Sequence, residues 1–288
     1  MFRKALYTFL PILIAGSSLA ALNQSEAPSV EQGKFIWADL FTTDPEKAAS
    51  FYMKLFGWIQ ETDTESDIQR RILLKNGQQV AGIVTYPDAG AATKNINSRW
   101  IGYIAVNDVE KTADASVEEG GRIFVRSRSA EKLGQLAIVT DPEGTYVGLL
   151  DNNSESAINN LWSNDDEWTW AQLFSKSPKD VLLFYRRVFG YEIKGDPRTV
   201  REDDYLLISG NTPRAGLVAI EAERERGGWL GFVRCADLNT KLKQVDLLGG
   251  SLVMAPITTD VSSKIAVIAD PLGGIIGLIE YPSYAENK

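Results

Sequence analysis

One fifteen-residue segment occurs twice in this chain, and that repetition narrows the possible folds more than any other feature. DPEKAASFYMKLFGW runs from Asp44 to Trp58, and SPKDVLLFYRRVFGY runs from Ser177 to Tyr191, an offset of 133 residues between Phe51 and Phe184. Further pairs follow the same order. NDVEKTADASVEEGGRIFV, from Asn107, matches ADLNTKLKQVDLLGGSLVM, from Ala236, with Gly120 and Gly121 against Gly249 and Gly250. VTDPEGTYVGLL, from Val139, matches IADPLGGIIGLIEY, from Ile268. Self-similarity of this period sets the number of structural units. The expected division is two similar domains at 34–151 and 166–282, a polar linker at 152–165 and a tail at 283–288. Leu161 and Trp162 of the linker are expected to dock on one half.

Each domain divides again. FIWADLF alternates and is rich in strand formers. Asp44 is placed as a helix N-cap and Pro45 as the first helical residue, with Ala48, Phe51, Tyr52 and Leu55 on one apolar stripe that ends at Gly57. RRILLK and QVAGIVTY read as a hairpin turning at Asn76-Gly77. The third unit repeats this pattern, with Ser177 as the cap, Asp180 in a capping-box place and Val181, Phe184, Tyr185 and Val188 on the stripe. The second and fourth units open with WIGYIAV and WLGFVRC, and their helices end at Gly-Gly. The chain is thus expected to be α+β, with four βαβββ modules in tandem. The repeated Phe-Tyr pair belongs to the core of such a unit.

Composition removes several kinds of chemistry. The 288 residues contain no histidine, so serine–histidine triads, His-bearing zinc sites and two-histidine iron sites are excluded. A metal would have to be held by oxygen ligands. The single cysteine, Cys235, cannot form an internal disulfide and is read as a small buried hydrophobe. A net charge of −8 without a basic stripe argues against a nucleic-acid partner. Residues 1–20 combine Arg3 and Lys4, an apolar run from Ala5 and small residues before Ala20, which is the pattern of a cleaved secretory signal. An uncleaved anchor is the competing reading. Residues 21–33 form a polar leader. The expected setting is periplasmic or secreted, with no stable membrane span after cleavage.

Four modules with DL-x-T-x-D, then A-x-x-FY-x-x-x-FGW, then DPEG-x-x-x-GLL, resemble the vicinal oxygen chelate superfamily, which holds glyoxalase I, the bleomycin-resistance proteins and the extradiol dioxygenases. The resemblance covers nearly everything after residue 33 and is nearest to tandem glyoxalase-like proteins. It implies two domains, each with two modules paired into a curved mixed sheet around a cavity. It also implies metal ligands on the first and last strands of the modules. Carried onto this chain, those positions are Trp37, Gly82, Ile101 and Gly148 in one half and Trp170, Gly216, Leu230 and Gly277 in the other. No side chain among them binds a metal, so no metal and no other cofactor is expected.

Strand alternation then places candidate ligand-binding residues on the cavity faces. Trp37 and Asp39 would share a face with Phe35 and Phe41, joined by Tyr103 and Tyr146; Trp170 and Gln172 would share theirs with Trp168 and Phe174, joined by Phe232 and Arg234. Trp37 and Trp170 either stack on a ligand or fill the vacated space as core. Asp39 is either a buried general base, the catalytic candidate, or a solvated strand-end residue. Glu202, Asp203 and Asp204 are expected in a solvated loop, and EAERER at 221–226 as an exposed charged helix. The expected function is metal-independent binding of a small hydrophobic or aromatic molecule. Alternatives are a cofactor-independent lyase, isomerase or hydrolase using Asp39 or a pocket tyrosine, a metalloenzyme with oxygen ligands, and a purely structural protein. A homodimer is possible.

Overall fold

The computed structural model describes residues 32–62, 70–86, 96–130, 133–151, 164–197, 203–221, 227–259 and 262–282. The expected signal segment, the docking of Leu161 and Trp162, and most of the EAERER stretch lie outside these residues. The first half runs β1 (Phe35–Thr42), α1 (Pro45–Phe56), β2 (Ile59–Thr62), β3 (Arg70–Lys75), β4 (Gln78–Thr85), β5 (Arg99–Val106), α2 (Val109–Glu118), β6 (Arg122–Ala130), β7 (Gly134–Thr140) and β8 (Tyr146–Asp151). The second half repeats the order as β9 (Trp168–Ser175), α3 (Pro178–Phe189), β10 (Glu192–Gly195), β11 (Asp204–Ser209), β12 (Thr212–Ala219), β13 (Gly228–Arg234), α4 (Leu238–Leu247), β14 (Ser251–Thr258), β15 (Lys264–Ala269) and β16 (Ile275–Glu280). These are the four βαβββ modules. Each half makes one curved eight-stranded mixed sheet, ordered β2-β3-β4-β1-β5-β8-β7-β6 and β10-β11-β12-β9-β13-β16-β15-β14. The two modules of a half meet where β1 pairs antiparallel with β5, and β9 with β13.

Local chemistry explains most boundaries. The Asp44 carboxylate accepts the Lys47 N–H, Pro45 opens α1, and Gly57 closes it at φ 65°. Asn76 and Gly77 both take positive φ in the tight turn between β3 and β4. Ser177 departs from expectation: it precedes α3, but its hydroxyl makes no cap. Glu143 of the first half reaches across instead and accepts the N–H groups of Lys176 and Ser177. An anion at a helix N-terminus offsets the positive end of the helix dipole, so this cap also ties the halves together.

The halves pack reciprocally. Phe51, Tyr52, Leu55 and Phe56 of α1 share a core with Leu238 and Val245 of α4 and with Ile268, Ile276 and Leu278. Phe184, Tyr185, Val188 and Phe189 of α3 share one with Val109, Ala113, Val139 and Leu149. Cys235 is buried at this interface, its thiol pushed up to about 12 by burial, as a small hydrophobe should be.

Each buried tyrosine hydroxyl on these stripes needs partners, and both find them across the interface. Trp100 Nε1 donates to Tyr52 Oη at 2.8 Å, which donates to Asp270 Oδ2 of the other half at 2.9 Å. Trp229 Nε1 donates to Tyr185 Oη at 2.7 Å, which donates to Asp141 Oδ2 of the first half at 3.4 Å. The aspartates of the two Asp-Pro turns are thus acceptors in matched interdomain relays. Burial raises the Asp141 carboxyl to about 6, against the pull of the Thr145 and Glu143 N–H groups, and raises Asp270 in the same direction. A group that holds its proton more tightly when folded supports the fold at low pH and loses that support as pH rises through its folded pKa. The melting temperature of the native chain should therefore fall relative to Asp141→Asn as pH rises from about 4 to about 6. A difference that stays flat across that window contradicts burial of the Asp141 carboxyl as the cause.

Candidate functional site

The centre of each curved sheet is where the resemblance places a metal, and in the first half that centre is filled. Asp39 has no exposed surface. Its Oδ1 accepts Trp37 Nε1 at 2.7 Å and Arg70 Nε at 3.2 Å; its Oδ2 accepts Arg70 Nη2 at 2.9 Å and Tyr103 Oη at 2.8 Å. A carboxylate has about four lone-pair sites, and all are engaged. Two glycines make room. A Cβ on Gly82 would stand 2.2 Å from Asp39 Oδ1, and one on Gly148 would stand 2.2 Å from the Tyr103 ring. Side chains of β1 and β5 lie flat over the neighbouring strands where only glycine leaves space.

The second half keeps this plan with other groups. Trp170 Nε1 donates to Gln172 Oε1 at 3.1 Å, Gln172 lies over Gly216, and Phe232 lies over Gly277. Gln172 stands at the Asp39 position, Phe232 at the Tyr103 position and Asp204 at the Arg70 position. Gln172 Nε2 meets no acceptor among the described residues. Leu206, Ile208, Val218, Met254 and Val267 pack with Trp170 and Phe232 on this face.

Six of the eight candidate residues come together, three per half, packed rather than open: Trp37, Asp39, Tyr103, Trp170, Gln172 and Phe232 are all at most 3% exposed. Tyr146 stands apart at one end of the first sheet, against Phe124 and Arg99. Arg234 lies at the C-terminal end of the central strand β13, paired with Asp165 at 2.9 Å and over the ring of Tyr281. Asp39 is not a solvated strand-end residue, because Arg70 neutralises it inside the sheet. Asp204 is not in a solvated loop either; it opens β11 and is buried. Phe35 and Trp168 do not share the concave faces. A register shift between Phe35 and Trp37, and its counterpart beside Trp168, turn both rings to the opposite side.

Those two rings line a cavity of about 50 Å3 between the halves, with Trp37, Ala38, Trp100, Trp170, Ala171 and Trp229. Phe35 meets Trp229 edge-on at 4.8 Å, and Trp168 meets Trp100 edge-on at 5.1 Å, so each half supplies one ring to each pair. All five indole N–H groups are spent elsewhere: Trp37 on Asp39, Trp170 on Gln172, Trp100 and Trp229 on tyrosines, and Trp168 on the Val80 carbonyl. The cavity wall is therefore mostly hydrocarbon, and Trp100 and Trp229 are only partly buried. Sequence reasoning missed this site. The available signal was that Tyr52 and Tyr185, and Trp100 and Trp229, recur as pairs.

The metal fit can be judged on these donors. At the family's ligand positions stand indoles, glycines, Ile101 and Leu230, and the one nearby carboxylate in the first half is saturated. Among the described residues no group of three metal-binding acids or thiols forms. The chain does not fit a metal at either centre. Asp39 likewise has no lone pair for a base, and burial and Asp39 hold the Tyr103 hydroxyl well above the usual phenol range.

Comparisons with known proteins agree on the fold. Residues 34–149 match the model of the Glyoxalase/Bleomycin resistance protein/Dioxygenase superfamily. A protein of Mycobacterium bovis named "Putative glyoxylase CFP32" is 26% identical over 252 residues, covering 86% of this chain and 95% of that one. The Mn(II)-bound glyoxalase of Novosphingobium aromaticivorans aligns with a TM-score of 0.60 at 11% identity, over 87% of this chain and 82% of its own. The 2,3-dioxygenase LapB of Pseudomonas sp. KL28 also aligns at 0.60 and 11%, over 90% and 96%.

Removing the cation from the buried pair exposes its role. Arg70→Met should cost about 3–5 kcal/mol in denaturant unfolding, because Asp39 is left charged and uncompensated. Asp39→Asn with Arg70→Met should recover part of that loss. An Arg70→Met cost under about 1 kcal/mol would mean the pair does not hold the centre.

Proposed function

We propose that this chain, whose residues 34–149 match the Glyoxalase/Bleomycin resistance protein/Dioxygenase model and which resembles "Putative glyoxylase CFP32" over most of its length, is an exported, metal-independent binding protein for a small hydrophobic or aromatic molecule held between its halves. One observation carries this reading: the interdomain cavity is walled by aromatic rings whose polar atoms are all satisfied elsewhere. Small-molecule sites are concave and mostly apolar, and an apolar cavity stays dry and takes apolar guests. Its size restricts the guest. About 50 Å3 is a third of the roughly 150 Å3 that accepts benzene. It holds a small apolar group, or the apolar end of a molecule whose remainder lies past Trp100 and Trp229. Export rests on residues 1–20.

Xenon in solution should give a saturable 129Xe NMR shift with the native chain. Ala171→Leu, which puts an isobutyl group into the cavity, should abolish it at a cost of about 1–3 kcal/mol from overpacking. Ala38→Val is the smaller companion change. An equal shift in both filled variants places the guest elsewhere and removes the reading. In a host that exports it, the mature chain should begin at Ala21 by N-terminal mass spectrometry.

A further inference from the structure

The concave face of the first half carries a second cluster that neither the fold nor the interdomain cavity uses. Phe41 follows Trp37 and Asp39 on that face, Arg99 precedes Ile101 and Tyr103, and Tyr146 precedes Gly148, so strand alternation brings all three to one end of the sheet. The Arg99 guanidinium lies 4.9 Å over the Tyr146 ring. Phe124 of β6 meets that ring edge-on at 4.8 Å, and Tyr86 lies 6.0 Å from Phe41. Phe124 nevertheless leaves 61% of its surface to solvent.

The internal repeat provides the control. The second half builds the same sheet with Ile220, Gly228, Val253 and Ile275 at the positions of Tyr86, Arg99, Phe124 and Tyr146. The fold therefore does not require those four side chains; Phe41 is kept, as Phe174. Charge differs as well. Strand β6 carries Arg122, Arg126 and Arg128 and no acid, whereas β14, SLVMAPIT, carries no charge at all. Of these arginines, Arg122 lies at the Tyr146 end, since both pair with Thr140, and Arg99 rests on a ring rather than against a carboxylate of the described residues.

We propose that this end of the first half binds a small aromatic carboxylate, with Arg99 taking the carboxylate and Phe41, Tyr86, Phe124 and Tyr146 contacting the ring. A guanidinium presents N–H donors in a fork that matches a carboxylate, and aromatic rings stack or pack edge-on with a planar guest. The site is separate from the interdomain cavity and is selective for charge, which that cavity is not.

Calorimetric titration of the purified full chain with 1-naphthoate and with neutral 1-naphthamide tests this. The native protein should bind naphthoate saturably and the amide at least tenfold more weakly. Arg99→Gln should weaken naphthoate at least tenfold without moving the amide, and Phe124→Ala should weaken both. The cavity-filling Ala171→Leu should leave naphthoate affinity unchanged, which separates this site from the one between the halves. No naphthoate binding, or equal affinities in native protein and Arg99→Gln, overturns the proposal. Concentration-dependent dimerisation lost in Phe124→Ser also overturns it, since the face would then belong to a second copy.

Discussion

A carboxylate with no exposed surface must be neutralised where it stands, and much of the first half is arranged around that requirement at Asp39. Arg70 supplies the counter-charge from β3, Tyr103 a hydroxyl from β5 and Trp37 an indole N–H from β1 itself. Glycines at positions 82 and 148 let these groups lie flat against the sheet. Taking charges out of water is costly and is repaid only by close geometry with every donor used. Once that geometry is met, the carboxylate has nothing left to offer an ion or a substrate proton. The second half closes its centre with other groups, an amide at the acid's position and Phe232 at the tyrosine's.

A closed centre moves the available surface elsewhere. The reciprocal packing of α1 on α4 and α2 on α3 is locked by two polar relays that each run from an indole through a tyrosine to an aspartate of the opposite half. Because those relays consume the indole N–H groups, the aromatic rings beside them present only carbon to the space they enclose. The interdomain cavity is thus a by-product of how the interface satisfies its hydrogen bonds, and its apolar character follows from the same bonds. Conversely, Tyr86, Arg99, Phe124 and Tyr146 at one end of the first sheet have no counterpart in the second half, which builds the same sheet without them.

The repeat, the module order and the helix boundaries were legible because each rests on local chemistry: Asp44 before Pro45, Gly57 after Phe56, Asn76-Gly77 between two apolar runs. The closed centres were half legible. Trp37, Asp39 and Tyr103 were placed on one face by alternation, but their partner Arg70 is 31 residues along from Asp39, and nothing local announces it. Alternation failed at Phe35 and Trp168, since a single register shift inverts every residue beyond it. Ser177 looked like a cap because its type favours caps; Glu143 took the role because the fold brings it there. The interdomain relays were hidden for the same reason, although a tyrosine hydroxyl on a buried helix stripe always poses the question of its partner.

The account stands or falls on whether side chains have taken the metal's place at both sheet centres. Calorimetric titration of chelator-treated protein with Mn2+, Fe2+, Ni2+ and Zn2+, with elemental analysis of the untreated protein, addresses that directly. The structure described here predicts no stoichiometric uptake of any of the four ions and an unchanged melting temperature in their presence. One ion bound per half, removed by chelator and restored on addition, would contradict it.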